Sequence, residues 1–407
     1  MSDFDIAIVG GGLVGTSLAA ALSHTKLRVV LIEAAAPPSG TYSWDERCIA
    51  LNDASRRIFS AIGLWDVLRA EAEPIVATHI SERDRFGTTR FSAAEAGLDA
   101  LGYNVPLRAI GAVLTQALAT APNLSLMQPA RLAGVTLADD HAVLEIDAAG
   151  SLRTLNAKLV VAADGAHSVL RNLLGIAAQT RDYAQHAIVS AVRLSRPHKG
   201  VAYERFTPDG PLALIPKPDA AASLVWTVPS ERAETMLGCS DHDYLAEAQD
   251  TFGGRLGRFT ALGARRGYPL SRIMSVQLAA ARTVLIGNAA QSLHPVAAQG
   301  FNLGLRDVAA LAQAVATLDD PGAAKPLADY EQRRAHDRSR VSAVTDFMVR
   351  TFSNRIPGLA QARHWGLIAV DLAPPLRNAM LRQHLGQLGL PRDDFAARVE
   401  ARSSPRE

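Results

Sequence analysis

Four stretches of the chain are apolar at almost every position: residues 6–9, 28–32, 158–163 and 283–288. A strand with one wet face alternates, so unbroken runs of this length predict strands buried on both faces, as in a parallel sheet covered by helices. Elsewhere the period is two. Residues 77–91 alternate around a turn near Phe86-Gly87, and residues 187–229 alternate between prolines and Gly210, with a further strand at 266–276. These predict a hairpin and most of a separate antiparallel sheet. Residues 124–163 read as short strands with turns at Ala138-Asp139-Asp140 and Ala149-Gly150. Helical spacing marks 16–23, a helix capped by Asn52 that carries Ile58, Phe59 and Ile62, then 107–121, 230–237 and 241–252. Downstream, Leu305, Val308, Ala309, Leu311 and Ala312 share one helix face. A long helix is expected at 330–352, shorter ones at 359–372 and 376–388, and a disordered tail after Arg398.

The first apolar run delivers Gly10, Gly12 and Gly15 in G-x-G-x-x-G spacing, with Leu13 and Val14 at the start of a small-residue helix. The second run ends at Glu33, 21 residues beyond Gly12. Gly10 permits a tight strand-to-helix turn, Gly12 lets backbone N–H groups approach a pyrophosphate, and Gly15 lets helix and strand pack closely. The helix N-terminus adds partial positive charge, and Glu33 is placed to accept hydrogen bonds from a ribose diol. This context predicts a Rossmann-like dinucleotide site. It does not distinguish FAD from NAD.

Two later strands end in comparable motifs. Residues 158–163 deliver Asp164-Gly165, and residues 283–288 deliver Gly287-Asn288, followed by His294, Pro295, Gln299, Gly300, Phe301 and Asn302 before a helix. Free N–H groups at such a helix start suit negative charge on the pyrimidine end of a reduced flavin. His294 reads better as a packing residue than as a catalyst. Arg47, on a loop before a helix, faces either a cofactor or solvent. Arg108 lies in the first turn of the 107–121 helix, where a cation opposes the dipole, so an anionic ligand beside it is expected.

Composition narrows the class. A chain of 407 residues has room for two or three domains, and 48% hydrophobic with 20% charged residues is an ordinary globular balance. A formal charge of +2 gives no electrostatic case for a nucleic-acid partner. Two cysteines, Cys48 and Cys239, make neither a disulfide framework nor a metal cluster, so no metal is expected and a reducing compartment is. The nucleotide-binding strand begins almost at once, leaving no room for a signal or transit peptide, and no apolar run reaches membrane-span length. The chain is expected in the cytoplasm or peripherally at the inner membrane. Arg355, Arg363, Arg377 and Arg382 lie among apolar residues of the C-terminal helices, which either pack on the core or lie on a membrane surface.

With these motifs in place, the chain resembles the class A flavin-dependent aromatic hydroxylases, which share the p-hydroxybenzoate hydroxylase fold. The run from Gly287 to Val308, with Asn288 where the family usually has Asp, is similar to the ubiquinone-biosynthesis hydroxylases, especially the 2-polyprenyl-6-methoxyphenol hydroxylase branch. The resemblance implies an α/β fold: a Rossmann-like FAD-binding domain with an interleaved antiparallel-sheet substrate domain and C-terminal helices. Residues 1–75, 107–180 and 276–352 would form the FAD-binding part, 76–106 and 181–275 the substrate part, and 353–407 the C-terminal helices and tail. It further implies that Gly10, Gly12, Leu13, Val14, Gly15 and Glu33 hold the FAD adenosine and pyrophosphate. Asp164 and Gly165, completed by Ser168 and Arg171, would serve both FAD and NAD(P)H, and Gly287 with Asn288 would contact the flavin ribityl chain. Pro295, Gln299, Gly300, Phe301, Asn302, Arg47 and Arg108 would contact the flavin.

The implied reaction uses NAD(P)H as a transient co-substrate and dioxygen, and passes through a flavin hydroperoxide to hydroxylate a polyprenyl phenol. A ubiquinone-biosynthesis complex or a membrane surface is the implied partner. Tyr203, Tyr268 and His294 are unranked candidates for assisting phenol deprotonation. Rival readings are an FAD monooxygenase of another small aromatic, a flavin dehydrogenase or halogenase, and a non-catalytic scaffold.

Overall fold

The computed structural model describes residues 2–36, 47–85, 87–294, 299–352 and 373–387. The 34–42 loop beyond residue 36, the turn residue Phe86, Pro295, the helix at 359–372 and the tail fall outside the described residues.

The unbroken apolar runs do form a buried parallel sheet. Phe4–Val9 lies between Val29–Ile32 and Ser151–Ala162, parallel to both, with Leu124–Met127 and Thr283–Leu285 added in parallel outside them. Ile6, Ala7, Ile8, Val29, Val30 and Val161 are wholly buried, because helices cover one face and further elements the other. The covering helices include Leu13–Leu22, Gln299–Val315 and Ala324–Phe352. The last begins six residues before the expected 330, since Pro326 sits in its first turn, where proline costs no hydrogen bond.

The alternating stretches build a nine-stranded sheet. Its order is Gln291–Ser292, Arg266–Ser275, Ala178–Leu194, Ala221–Pro229, Leu212–Lys217, Val201–Phe206, Ala77–Glu82 and Thr88–Ser92, with Phe259–Leu262 pairing to the side of Ala178–Leu194. Ala178–Leu194 begins nine residues before the expected strand at 187, because its first half alternates with exposed polar residues and lacks an apolar face. The hairpin Ala77–Glu82 and Thr88–Ser92 joins this sheet through a parallel pairing of Ala77–Glu82 with Val201–Phe206. One sheet face packs Ile188, Leu214, Leu224 and Trp226 on the helices Ser230–Gly238 and Asp241–Phe252. The other face looks back toward the nucleotide-binding half. A three-stranded sheet, Cys48–Asn52, Gly102–Pro106 and Glu73–Ile75, bridges the two.

The helix Pro374–His384 closes one end. Its Leu381, with Leu385 just beyond, packs on Ile80, Phe91, Leu101 and Phe206. The Leu385 carbonyl accepts the Ala54 N–H at 3.1 Å, so the helix touches both halves.

Candidate active site

The first glycine motif divides its labour. Gly10 has φ +108, and a Cβ there would lie 2.5 Å from the Ala163 carbonyl oxygen; at Gly15 a Cβ would lie 1.9 Å from the Gly10 oxygen. Both glycines are required by packing of strand, turn and helix. Gly12 has nothing within 4 Å of the equivalent position, so its outer face is open to a ligand. The helix Leu13–Leu22 starts with no side-chain cap and no acid in its first turn. Leu13 and Val14 pack inward; a Cβ on Gly287 would sit 3.0 Å from Val14 Cγ1. Only their backbone amides therefore face the opening. Glu33 accepts the Gly11 N–H at 2.5 Å and the Ala35 N–H at 2.6 Å, one on each oxygen, leaving further lone pairs for a ribose.

Asp164 Oδ2 accepts the Leu170 N–H at 3.1 Å, while Oδ1 is buried with no partner. Gly165 follows with φ +87. Ser168 caps the short helix Val169–Leu173 by accepting the Arg171 N–H. Buried Arg171 then donates to the carbonyls of Ala166 and Ala289, both at 2.9 Å, and so ties this loop to the next motif.

That next motif departs from the expected strand through 288. The strand Thr283–Leu285 is followed by a tight turn, Gly287–Ala289, with Gly287 at φ +57. Asp307 Oδ2 accepts from the Gly287 N–H at 3.0 Å and from Gln291 Nε2 at 2.6 Å. Asn288 is thereby turned outward, exposed at a cavity. Gly300, Phe301 and Asn302 line the same cavity, and Gln299 is buried at the helix start. The Asn302 side chain is engaged in structure: Oδ1 accepts from Asn52 N–H and Ser55 Oγ, and Nδ2 donates to Ala50 oxygen at 2.9 Å.

The cavity holds about 410 Å³ between the nine-stranded sheet and these loops. Register defines its wall. Glu204 pairs with Ala213, Ala213 with Val225 and Val225 with Val189, and all four line it. Ala187, Thr227, Tyr268 and Leu270 extend the same face, and Thr78 and His384 complete the far end. Apolar groups dominate this wall, and burial there pushes the Glu204 carboxyl up to about 7. His384 Nε2 lies 3.0 Å from Thr78 Oγ1, and burial lowers its imidazole to about 4.

Of the three candidates for phenol activation, only Tyr268 presents its side chain here, with its hydroxyl accepting from Arg47 Nη1 at 2.9 Å. The Tyr203 ring lies on the opposite sheet face, edge-on to Phe252 and tilted against His79, each at 5.5 Å. His294 is buried edge-on against Tyr183 at 5.1 Å, and that burial drops it to about 4, leaving it neutral. Where an anionic ligand is expected beside Arg108, the structure places a carboxylate of the protein: Glu71 Oε2 lies 2.5 Å from Nη2. Glu204, Thr78 and His384 were missed. Glu204 had a signal, an acid sharing parity with Ala202 and Phe206 on an otherwise apolar face; His384 had none.

An uncapped helix start, an open Gly12 and an unpartnered buried carboxylate oxygen at Asp164 fit the pyrophosphate and sugar of a dinucleotide. The described residues contain no group of three or more His, Cys, Asp or Glu side chains able to hold a metal ion. None of the described helices is long and apolar enough to cross a membrane.

Comparison with known proteins agrees with this geometry. The family described as FAD binding domain matches residues 3–347. Ubiquinone hydroxylase UbiL of Rhodospirillum rubrum is 37% identical over 95% of this chain and 90% of its own. The 3-demethoxyubiquinol 3-hydroxylase of Escherichia coli is 34% identical over 94% of this chain and 98% of its own. The crystal structure of p-nitrophenol 4-monooxygenase PnpA from Pseudomonas putida superposes with a TM-score of 0.77, covering 95% of this chain and 99% of that one at 18% identity. The chain therefore belongs to the FAD-dependent aromatic-ring monooxygenases, in the family that contains the ubiquinone-biosynthesis hydroxylases.

Proposed function

We propose that this enzyme hydroxylates the aromatic ring of a polyprenylated phenol in ubiquinone biosynthesis, with NAD(P)H as reductant and dioxygen as oxygen source. The observation that carries the reading is a largely apolar cavity with a single carboxyl side chain in its sheet wall and Asn288 at its opposite side. Apolar walls suit an aromatic ring and the start of a prenyl chain, and exclude water from the reacting centre.

When bound, the flavin supplies the activation of dioxygen and the oxygen that is transferred. Backbone amides of Gly12, Leu13, Val14 and Gly15 hold the pyrophosphate, with Gly10 shaping the turn and Glu33 on the ribose. Asp164 and Gly165 would serve the FAD and NAD(P)H, Gly287 and Asn288 would hold the ribityl chain, and Pro295, Gln299, Gly300, Phe301 and Asn302 would contact the ring. Arg47 and Arg108 flank the flavin from the neighbouring loop and helix start. Glu204 accepts the phenol proton, which makes the ring more nucleophilic; a base whose pKa lies near the working pH is suited to this. Tyr268, held by Arg47, orients the phenol oxygen. The substrate tail is insoluble, so the enzyme meets it at a membrane surface or from a partner in a biosynthetic complex. Leu376, 45% exposed on Pro374–His384, is the contact we assign to that surface.

The test is single-turnover oxidation of a short-chain prenylphenol by flavin-loaded protein under isotope-labelled dioxygen. Label in the ring product supports the reading. Reductant consumption with hydrogen peroxide and no labelled product, for every prenylphenol offered, overturns it.

A further inference from the structure

A second cavity, of about 520 Å³, lies behind the first, on the opposite face of the same sheet. Its walls come from three separated segments: the hairpin with His79 and Arg90, the loop before Val201–Phe206 with Arg196 and Lys199, and the loop after Asp241–Phe252 with Arg255. No acid lines it. Arg83, just beyond the first hairpin strand, engages Asp84 and Asp250, the latter at 2.8 Å. Arg205, on the same sheet face, donates to the Thr251 carbonyl and adds a further positive charge.

His79 shows what this crowding does. It is 8% exposed, and its Nε2 lies 2.7 Å from Arg255 Nη1. A guanidinium only donates, so Nε2 accepts and the proton must sit on Nδ1. That Nδ1 is buried, with its own backbone as its only acceptor and none from another described residue. Burial, followed by repulsion from Arg255, lowers the imidazole to about 4. Four exposed cations gathered around one cavity, with no acid among its described lining residues, repel one another. One oxygen-rich anion relieves that repulsion.

We infer that this cavity binds a phosphate or diphosphate group, recognised by Arg90, Arg196, Lys199 and Arg255 beside the His79 ring. A phospholipid headgroup and a soluble phosphate ester share this chemistry. The inference does not depend on which phenol occupies the first cavity. Tyr203 separates the two spaces, its backbone in the strand that presents Glu204 and its ring on the phosphate side.

The experiment uses the full-length flavin-loaded protein at low ionic strength, where charge attraction is least screened. Calorimetric titration with inorganic pyrophosphate runs beside co-sedimentation with vesicles of phosphatidylglycerol or of phosphatidylcholine. The double variant Arg90→Gln/Arg255→Gln is compared with Arg69→Gln/Arg131→Gln, which removes equal charge from exposed positions elsewhere. Saturable pyrophosphate binding that weakens at least tenfold only in the first variant supports a soluble phosphate ligand. Binding to phosphatidylglycerol vesicles alone, lost only in the first variant, supports a headgroup. Absence of both, or equal loss in the two variants, overturns the site. The His79 ring-proton resonance, identified by its loss in His79→Gln, must also move with saturation; an unmoved resonance places any bound anion elsewhere and overturns it too.

Discussion

The Asp307 carboxylate accepts the Gly287 N–H at 3.0 Å, so the helix that follows the third motif holds that motif's turn in place. Its other oxygen takes Arg334 Nε at 2.7 Å, and Arg334 and Arg306 both pair with Asp337. All four charged groups are at most 4% exposed. Removing one member of a buried set leaves an uncompensated charge, which costs about 3–5 kcal/mol. Arg334→Met is expected to lower the unfolding free energy by that amount, measured by denaturant titration. It should also lower flavin retention in the folded fraction, measured by absorbance after gel filtration, because Asp307 is then free to turn from Gly287.

Asp164 makes a second, separable prediction. Its Oδ2 caps the Leu170 N–H, and its Oδ1 is buried without a partner beside the strand end that carries the second motif. Asp164→Ala is expected to weaken FAD binding at least tenfold. The apoprotein should lose only about 0.5–2 kcal/mol, the usual cost of a lost cap. Fluorescence titration with FAD and denaturation of the flavin-free protein measure the two numbers. Unchanged FAD affinity would remove Asp164 from the site.

Local signals carried most of the fold. Unbroken apolar runs found the parallel strands, and period-two runs found most of the other sheet, because both patterns express which faces are covered. Long-range pairings had no such trace. Tyr268 meets Arg47 from 221 positions away, and His384 meets Thr78 from 306 positions away. At Arg108 the structure supplies Glu71 where the pattern suggests an anionic ligand, because helix-dipole reasoning does not distinguish the two sources of negative charge. Tyr203 was chosen for its chemistry, and strand parity turned it away; the same parity brings Glu204 to the cavity.

The helix Pro374–His384 is tied to the hairpin by Leu381 and the following Leu385, and by Arg377, which pairs with Glu95 at 2.8 Å and lies over the Phe91 ring. Leu381→Ala removes buried methyl groups worth about 2–5 kcal/mol when the site does not collapse. That loss falls on a short terminal element, so the expected result is local opening rather than global unfolding. Amide exchange should accelerate across residues 374–387 with little change elsewhere. KM for a prenylphenol should rise while flavin content stays constant, because His384 helps to close the cavity.

Surface contact is tested separately from cavity closure. Leu376 faces solvent, so Leu376→Glu leaves the packing of Leu381 and Leu385 intact. If this helix meets a bilayer, flotation with anionic vesicles falls several-fold while turnover of a soluble short-chain phenol is unchanged. Equal flotation would remove the helix from the membrane-facing surface.

Glu204 ties stability and catalysis to pH with opposite signs. Its carboxyl is raised from 4.5 to about 7 by burial, so the folded state holds the proton more tightly than the unfolded chain. Below the ordinary value both states are protonated and no penalty arises. Between the two values the folded state binds more protons, and stability falls as pH rises; above about 7 the whole penalty is present. At about 1.4 kcal/mol per unit, the upper limit is on the order of 3 kcal/mol, reduced by the group's partial exposure. Glu204→Gln is therefore expected to raise the melting temperature at pH 8 and to change it little at pH 4. Turnover should move the other way. The wild-type rate climbs through pH 7 as the carboxylate forms, and the Gln variant loses that limb together with about 10²-fold or more of the rate at pH 8. A variant that is more stable yet keeps the wild-type pH profile would make Glu204 a buried acid without a part in the reaction.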